Sequence, residues 1–328
     1  FFSFFIVFEK FFFSLKKVKK KKREKKKKKR KKKDEKNTLK KMVCSPSVIG
    51  NTSVNNSCFT DSVLLYLKEV YNKHHPISKI DYKQPAKIWN SLKNKLSHCK
   101  QEDCWLNEIN DENVRSNIDK LLFAPDSPAK WIKHPDEWLS NLDINNVLKQ
   151  YEIKFPQFKT LKPSPIDFDS KMNGIDGPCV NNDLCNFNIE TYIKLNKTKI
   201  GIVYNLDKHN QSGSHWVSLF IDIDDKYIFF MDSAGETIPP QIKKFVTRVI
   251  EQATDLGILL KYYENSPLEH QHGNTECGMY SLFFIITLLT NQVQNKEFKS
   301  LKQKINFFTK KRIPDKYIFN YRKQYFNI

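Results

Sequence analysis

Nothing in these 328 residues is apolar for long enough to cross a bilayer. The Phe-rich start, with eight Phe in the first 13 residues, is broken by Glu9-Lys10 and is too short to span. It also precedes a Lys run from Lys16 to Lys33, whereas a secretory signal puts its basic region first, so no signal peptide is read here. Zinc-type spacings are missing too: Cys99-x4-Cys104 and Cys179-x5-Cys185 are too loose, and His98 completes no pattern. No metal and no cofactor is expected. With seven cysteines and no export signal, free thiols in a reducing compartment are the expectation. Long internal repeats are absent, and no Met precedes Met42. Residues 1–41 are therefore read as translated AT-rich sequence upstream of a start at Met42. As part of the protein they would be disordered, basic and able to touch nucleic acid or anionic lipid.

Charge divides the chain. The formal net charge is +20, yet residues 1–41 hold 20 Lys/Arg against 4 Asp/Glu, and residues 291–328 hold 10 against 2. Between them, residues 42–290 carry 26 basic and 30 acidic side chains, a slightly acidic body. The expected domains are a 1–41 tail, a 42–130 helical extension, a 131–290 catalytic core and a 291–328 basic aromatic helical segment. In that last segment Tyr317, Tyr321 and Tyr325 recur every four residues. They predict one helix packed on the body, with Lys310, Lys311, Arg312, Arg322 and Lys323 outward for nucleic acid.

The densest chemistry lies at Gln271-His-Gly-Asn-Thr-Glu-Cys277-Gly278, a polar loop running into the apolar stretch Met279–Leu289. The pattern predicts a buried helix with Cys277 at its N-terminus, where unpaired N–H groups and the macrodipole favour negative charge on sulfur. A Gln271 amide could donate to an oxyanion beside the Cys277 N–H. Gly273 and Gly278 would let backbone approach a substrate closely. Alone, Cys277 would read as an ordinary buried cysteine.

Upstream, Val217–Ile223 and Lys226–Met231 read as strands joined across Asp224-Asp225. If Ile223 pairs with Lys226, paired numbers sum to 449 and Asp232 faces Val217. His215 is then a diagonal neighbour of Asp232 on one face, roughly 7–8 Å away at Cβ. That suits an imidazole oriented by a carboxylate. Asp222 falls on the other face and is expected to be solvated. A cysteine, a histidine, a carboxylate and an amide are the parts of nucleophilic acyl transfer.

His215-Trp216, Asp232-Ser233 and Gln271…Cys277-Gly278, in that order, resemble the SUMO-specific protease and adenovirus protease superfamily. Asp136-Glu-Trp138-Leu139 through Leu148 is similar to its Trp-Leu-x-Asp helix, with Asn141 in place of Asp. Asn56-Ser-Cys58-Phe-Thr-Asp-Ser62 and Arg312-Ile-Pro-Asp315 look most like thiol proteases of giant DNA viruses. The resemblance implies an α+β, papain-like or adenain-like core: a central mixed or antiparallel sheet against the nucleophile helix, with an extra N-terminal helical lobe and C-terminal helices. It implies His215, Asp232, Gln271 and Cys277 as catalytic residues, with Trp138, Trp216 and Gly273 along the substrate path. Trp138 could equally be a core residue.

Three functions are then open. The first is a monomeric viral maturation endopeptidase, in virion and host cytoplasm, cutting structural precursors near Gly-Gly. The second is a SUMO- or ubiquitin-like deconjugase, and the third a non-catalytic module tethered to nucleic acid by its basic segments. Cys58 is a rival nucleophile, since Asn56–Ser62 also resembles the cysteine box of ubiquitin-specific proteases.

Overall fold

A computed structural model describes residues 39–172, 174 and 177–328. The expectations for the Phe/Lys-rich start, residues 1–38, thus lie outside the described residues. The chain divides into two compact units: Thr52–Arg115 with the described residues up to Met42, and Val43–Asn51 with Ser116–Ile328.

In the first unit, α1 (Asp61–His74) starts where the Thr60 side chain accepts the Val63 N–H. It is followed by α2 (Pro85–Lys95) and a 3-10 turn at Asp103–Glu108. Trp105 is fully buried, stacked on Phe59 with centroids 5.4 Å apart. Buried Glu102 accepts the Cys58 backbone N–H at 2.9 Å and the Trp89 indole N–H. Burial still raises its pKa against those bonds. The free thiols expected here are not observed: Cys99 and Cys104 are disulfide-bonded, and Cys58 is also in a disulfide. A separation of five residues on a compact turn brings the Cys99 and Cys104 Cα atoms to 5.6 Å, within bridging reach.

The second unit holds a six-stranded sheet. Helix α3 (Glu112–Leu122) leads into it, and α4 (Asn141–Lys154) precedes two short strands, β1 (Phe158–Thr160) and β2 (Ser164–Pro165). Residues 158–165 thus supply two edge pairings. Short helices α5 (Asn182–Cys185) and α6 (Ile189–Lys194) follow, then β3 (Lys199–Asn205), β4 (Trp216–Asp222) and β5 (Tyr227–Met231). Helix α7 (Pro240–Asp255) crosses over to β6 (Lys261–Glu264). The sheet order is β1-β3-β4-β5-β6, with β2 also on β3. β3, β4 and β5 are antiparallel, while β1, β2 and β6 join in parallel, so the sheet is mixed.

The β4–β5 pairing runs from Ser218↔Met231 to Asp222↔Tyr227, the register whose numbers sum to 449. The connection is wider than a two-residue turn. Residues 223–226 form it, with Lys226 left-handed at φ 55°. Asp222 departs from expectation: it is fully buried, and its carboxylate takes Lys199 Nζ at 2.8 and 2.7 Å. β4 is buried along its whole length, so neither face offers water, and the carboxylate needs that ammonium.

Both faces are covered because β4 reads as a continuous apolar run rather than an alternating one. One face packs Trp216, Phe220, Phe229 and Met231 against α8 (Cys277–Thr290), whose residues Cys277 to Leu289 are all buried. The other packs Val217, Leu219, Ile228 and Phe230 against α7. A small hairpin, β7 (Gln292–Val293) with β8 (Lys296–Glu297), leads to α9 (Leu301–Thr309).

The C-terminal segment is two short helices, α10 (Asp315–Phe319) and α11 (Arg322–Tyr325), not one. Tyr321 and Tyr325 do bury against the α8 cluster, but the break lets Arg322 face inward, where it is only 1% exposed. Lys310, Lys311 and Lys323 remain exposed. No helix among the described residues is long and apolar enough to cross a membrane.

Candidate active site

β4 and β5 end side by side, and the residues beyond their paired ends make the centre of the site. His215 precedes β4 and Asp232 follows β5; His215 Nε2 and Asp232 Oδ1 are 2.7 Å apart. Asp232 is 2% exposed and its position is fixed from both sides. Its N–H donates to Asn265 Oδ1 at 2.9 Å, its carbonyl accepts Asn265 Nδ2 at 2.7 Å, and its Oδ1 also accepts the Ala234 N–H at 2.8 Å. With Nε2 engaged by the carboxylate, Nδ1 is the ring nitrogen left for another partner. Cys277 is the second group that acts on this imidazole.

Burial alone would push the His215 pKa down. The hydrogen bonds to Asp232 and Cys277 and the charges of both groups override it, raising the pKa to about 10. Cys277 is the first residue of α8, is 2% exposed and carries the free thiol among the described cysteines. A backbone N–H at that position has no intrahelical acceptor.

The Gln271 amide has a fixed orientation. Its Oε1 accepts the Ser233 hydroxyl at 2.8 Å, and its Nε2 donates to the Gly273 carbonyl at 2.9 Å. The backbone N–H groups of His270 and Gln271 both donate to the Ser233 carbonyl at 2.8 Å. Ser233 therefore ties the loop before Cys277 to the strand end that carries Asp232. From the other side, Asp315 Oδ2 accepts the N–H groups of His272 and Gly273, each at 3.1 Å.

His270 joins the same loop to the C-terminal segment. Its Nδ1 accepts the Ile313 N–H at 3.0 Å, and its Nε2 lies 2.8 Å from the Phe308 carbonyl, an arrangement that suits the neutral ring. Burial is the main cause lowering its pKa, the Arg312 charge adds to it, and the Phe308 bond opposes.

Beside this cluster runs a groove of 590 Å³, whose lining includes Trp138, Leu139, Asn205, Asp207, His209 and Trp216. Trp138 is 39% exposed, which removes the core alternative. It lies ahead of α4 rather than on it, because a Ser140–Asp143 capping box starts the helix at Asn141. Trp216 is buried, and its indole N–H donates to the Leu139 carbonyl at 3.0 Å. Gly278 makes this contact possible: a Cβ there would stand 3.1 Å from Leu139 Cβ and 3.4 Å from Trp216 Cδ1. At Gly273 a Cβ would meet only Asp315 Oδ2, at 3.8 Å.

The structure thus gathers His215, Asp232, Gln271 and Cys277 at one end of the sheet, with Trp138 and Trp216 on the neighbouring groove. Cys58, in a disulfide, has no thiol to offer as nucleophile. His98, Cys99 and Cys104 bring ligand atoms within 4.8 Å of one another, but the two sulfurs are bonded together, which spends them as metal donors. Sequence reasoning missed Asn265, Ser233 as the holder of Gln271, and the support from Asp315. Asp315 closes the Arg312-Ile-Pro-Asp315 motif, the one signal that could have pointed to it.

Residues 202–319 match the family model described as "Ulp1 protease family, C-terminal catalytic domain". A protein named "Putative thiol protease", from Acanthamoeba polyphaga mimivirus, is 29% identical over 263 residues, 73% of this chain and 82% of that protein. A cysteine protease of African swine fever virus is 29% identical over 196 residues, 58% of this chain and 68% of its own length. The crystal structure of an African swine fever virus protease shares the fold, with TM-score 0.59 at 20% identity over 89% of this chain and 97% of that one. The matched stretch begins within β3 and ends within α10, and so contains every element bearing the His–Asp–Gln–Cys cluster. Residues 202–319 thus match the catalytic domain of the Ulp1 protease family, and the chain is similar to viral proteins named as thiol or cysteine proteases.

Proposed function

We propose that Cys277 is the nucleophile of a peptide-bond hydrolase, with His215 as its acid–base partner, Asp232 as the group that orients the imidazole, and Gln271 as an oxyanion donor. The observation carrying this reading is the 2.7 Å contact between Asp232 Oδ1 and His215 Nε2, with Cys277 close enough to the same imidazole to help raise its pKa. With the proton already on His215, the Cys277 thiolate sulfur adds to the scissile carbonyl carbon. The carbonyl π pair moves to oxygen, which takes hydrogen bonds from the Cys277 N–H and from a Gln271 Nε2 hydrogen. Collapse expels the amine, which takes the proton from His215 and leaves a thioester. His215 then removes a proton from water as its oxygen attacks the thioester. Sulfur leaves as the thiolate, and the carboxylate product departs.

The substrate is a protein chain threaded between Trp138 and Trp216, where narrow residues of the Gly-Gly kind fit beneath two indoles. We read the enzyme as a virus-type maturation endopeptidase cutting structural precursors in virion and host cytoplasm. Support comes from its viral relatives. A deconjugase of ubiquitin-like tails would use the same residues. One relative bears the name "SUMO-1 cysteine protease".

The test has two arms. Cys277→Ala is expected to abolish cleavage of a peptide library without changing the thermal melt, while Cys58→Ala keeps the rate within a few fold. Mass spectrometry after limited iodoacetamide treatment is expected to find the label on Cys277. Turnover by Cys277→Ala would end the assignment. A strict two-glycine preference with free choice at the next position favours maturation over deconjugation.

A further inference from the structure

Arg322 makes more polar contacts than any role as an outward-facing surface charge would require. Its Nε and Nη2 donate to the two Glu276 carboxylate oxygens at 3.1 and 2.8 Å. Nη1 donates to the carbonyls of Pro135 and Glu137 at 3.2 and 2.9 Å. Nη2 reaches those of Asp136 and Thr275 at 3.3 and 3.4 Å. The guanidinium carbon lies 4.2 Å from the centre of the Trp131 ring, whose indole N–H donates to the same Glu137 carbonyl at 2.9 Å. One buried side chain therefore joins the residue before Cys277 to the segment that runs into Trp138.

We propose that Arg322 is a positioning residue for the substrate groove, holding the Trp138 rim at a fixed distance from Cys277. The inference rests on the reading of Cys277 and the groove given above. The chemistry requires arginine. Its planar fork presents five N–H groups in fixed directions and can face a carboxylate along one edge and a row of carbonyls along another. A lysine can keep the Glu276 charge but cannot span both sets. Beyond Glu137 the rim is held independently, by the Trp216 bond to the Leu139 carbonyl and by the close approach of Leu139 to Gly278. Trp138 lies between these two attachments. Arg322 also lies past the residues matched by the family model, which end at 319, so the device belongs to this chain's C-terminal segment.

The experiment compares two probes on the full chain: a fluorogenic tetrapeptide ending in Gly-Gly-aminomethylcoumarin, which must enter the groove, and iodoacetamide, which needs only the thiol. Arg322→Lys is expected to lower kcat/KM for the peptide about tenfold, mainly through KM, with the Cys277 alkylation rate within about twofold of wild type. Trp131→Phe keeps a ring under the guanidinium and removes only the indole bond to Glu137. It is expected to raise KM about two- to fivefold, again with alkylation unchanged. If Arg322→Lys does not fold, Trp131→Phe decides alone. Unchanged KM in the folded variants overturns the proposal, as does a fall in alkylation that parallels the loss of turnover. Wild-type protein that neither turns over nor alkylates at Cys277 would instead sink the assignment of the nucleophile, a different failure.

Discussion

The Ser233 hydroxyl donates to Gln271 Oε1 at 2.8 Å, and this bond decides which end of the amide is left to donate. Ser233→Ala would leave a buried acceptor unmet and let the amide rotate. We expect kcat/KM to fall about fivefold with KM little changed, about 1 kcal/mol of transition-state stabilisation. Gln271→Ala is expected to cost more, about 2.7–4 kcal/mol. Steady-state kinetics on one peptide checks both. Full activity in Ser233→Ala would show that the amide does not depend on it.

His215 gives a pH prediction. Its folded pKa of about 10 lies above the ordinary imidazole value of 6.5. The stabilisation it contributes is therefore fully present below about pH 6.5 and is lost as pH rises through about 10. Asp232→Asn and Cys277→Ala should each lower the His215 pKa, because each removes one of the two groups that raise it. NMR titration of the imidazole signal reads this directly. A wild-type midpoint near 6.5 would contradict the buried ion-pair picture.

Gly278→Ala places a methyl against Leu139 and Trp216. Overpacking at a fixed contact costs typically about 1–3 kcal/mol, so the denaturant midpoint should fall and peptide KM should rise. Unchanged stability would mean that Leu139 can move aside.

Nucleic-acid binding by the C-terminal segment, if it occurs, has fewer charges available than the sequence suggested. Arg322 is buried against Glu276, and Arg312 lies 3.3 Å from Asp315. Neutralising Lys310, Lys311 and Lys323 together should reduce the slope of log K against log salt by about 2.7 on duplex DNA. An unchanged slope would place any nucleic-acid contact elsewhere.

The hairpin was legible in the sequence because two apolar runs joined by a short polar turn leave few registers, and the observed pairs sum to 449. Cys277 at a helix start was legible for a similar reason: a polar loop meeting an apolar run is a local signal. Asn265, Asp315 and Arg322 were not. Each acts through contacts with residues 33 to 187 positions away, and only Asp315 carries a local mark, the Arg312-Ile-Pro-Asp315 motif. Asp222 failed for a related reason. Alternation gave its face, but its burial depends on Lys199 across the neighbouring strand.

Arg322 is synthesised 45 residues after Cys277, yet Glu276 and the approach to Trp138 both depend on it. A nascent chain that has already made its thiol, histidine and aspartate still lacks the arginine that joins them to the groove. Until Arg322 docks, Glu276 has no guanidinium to face and the rim is held only by the Trp216 bond to Leu139.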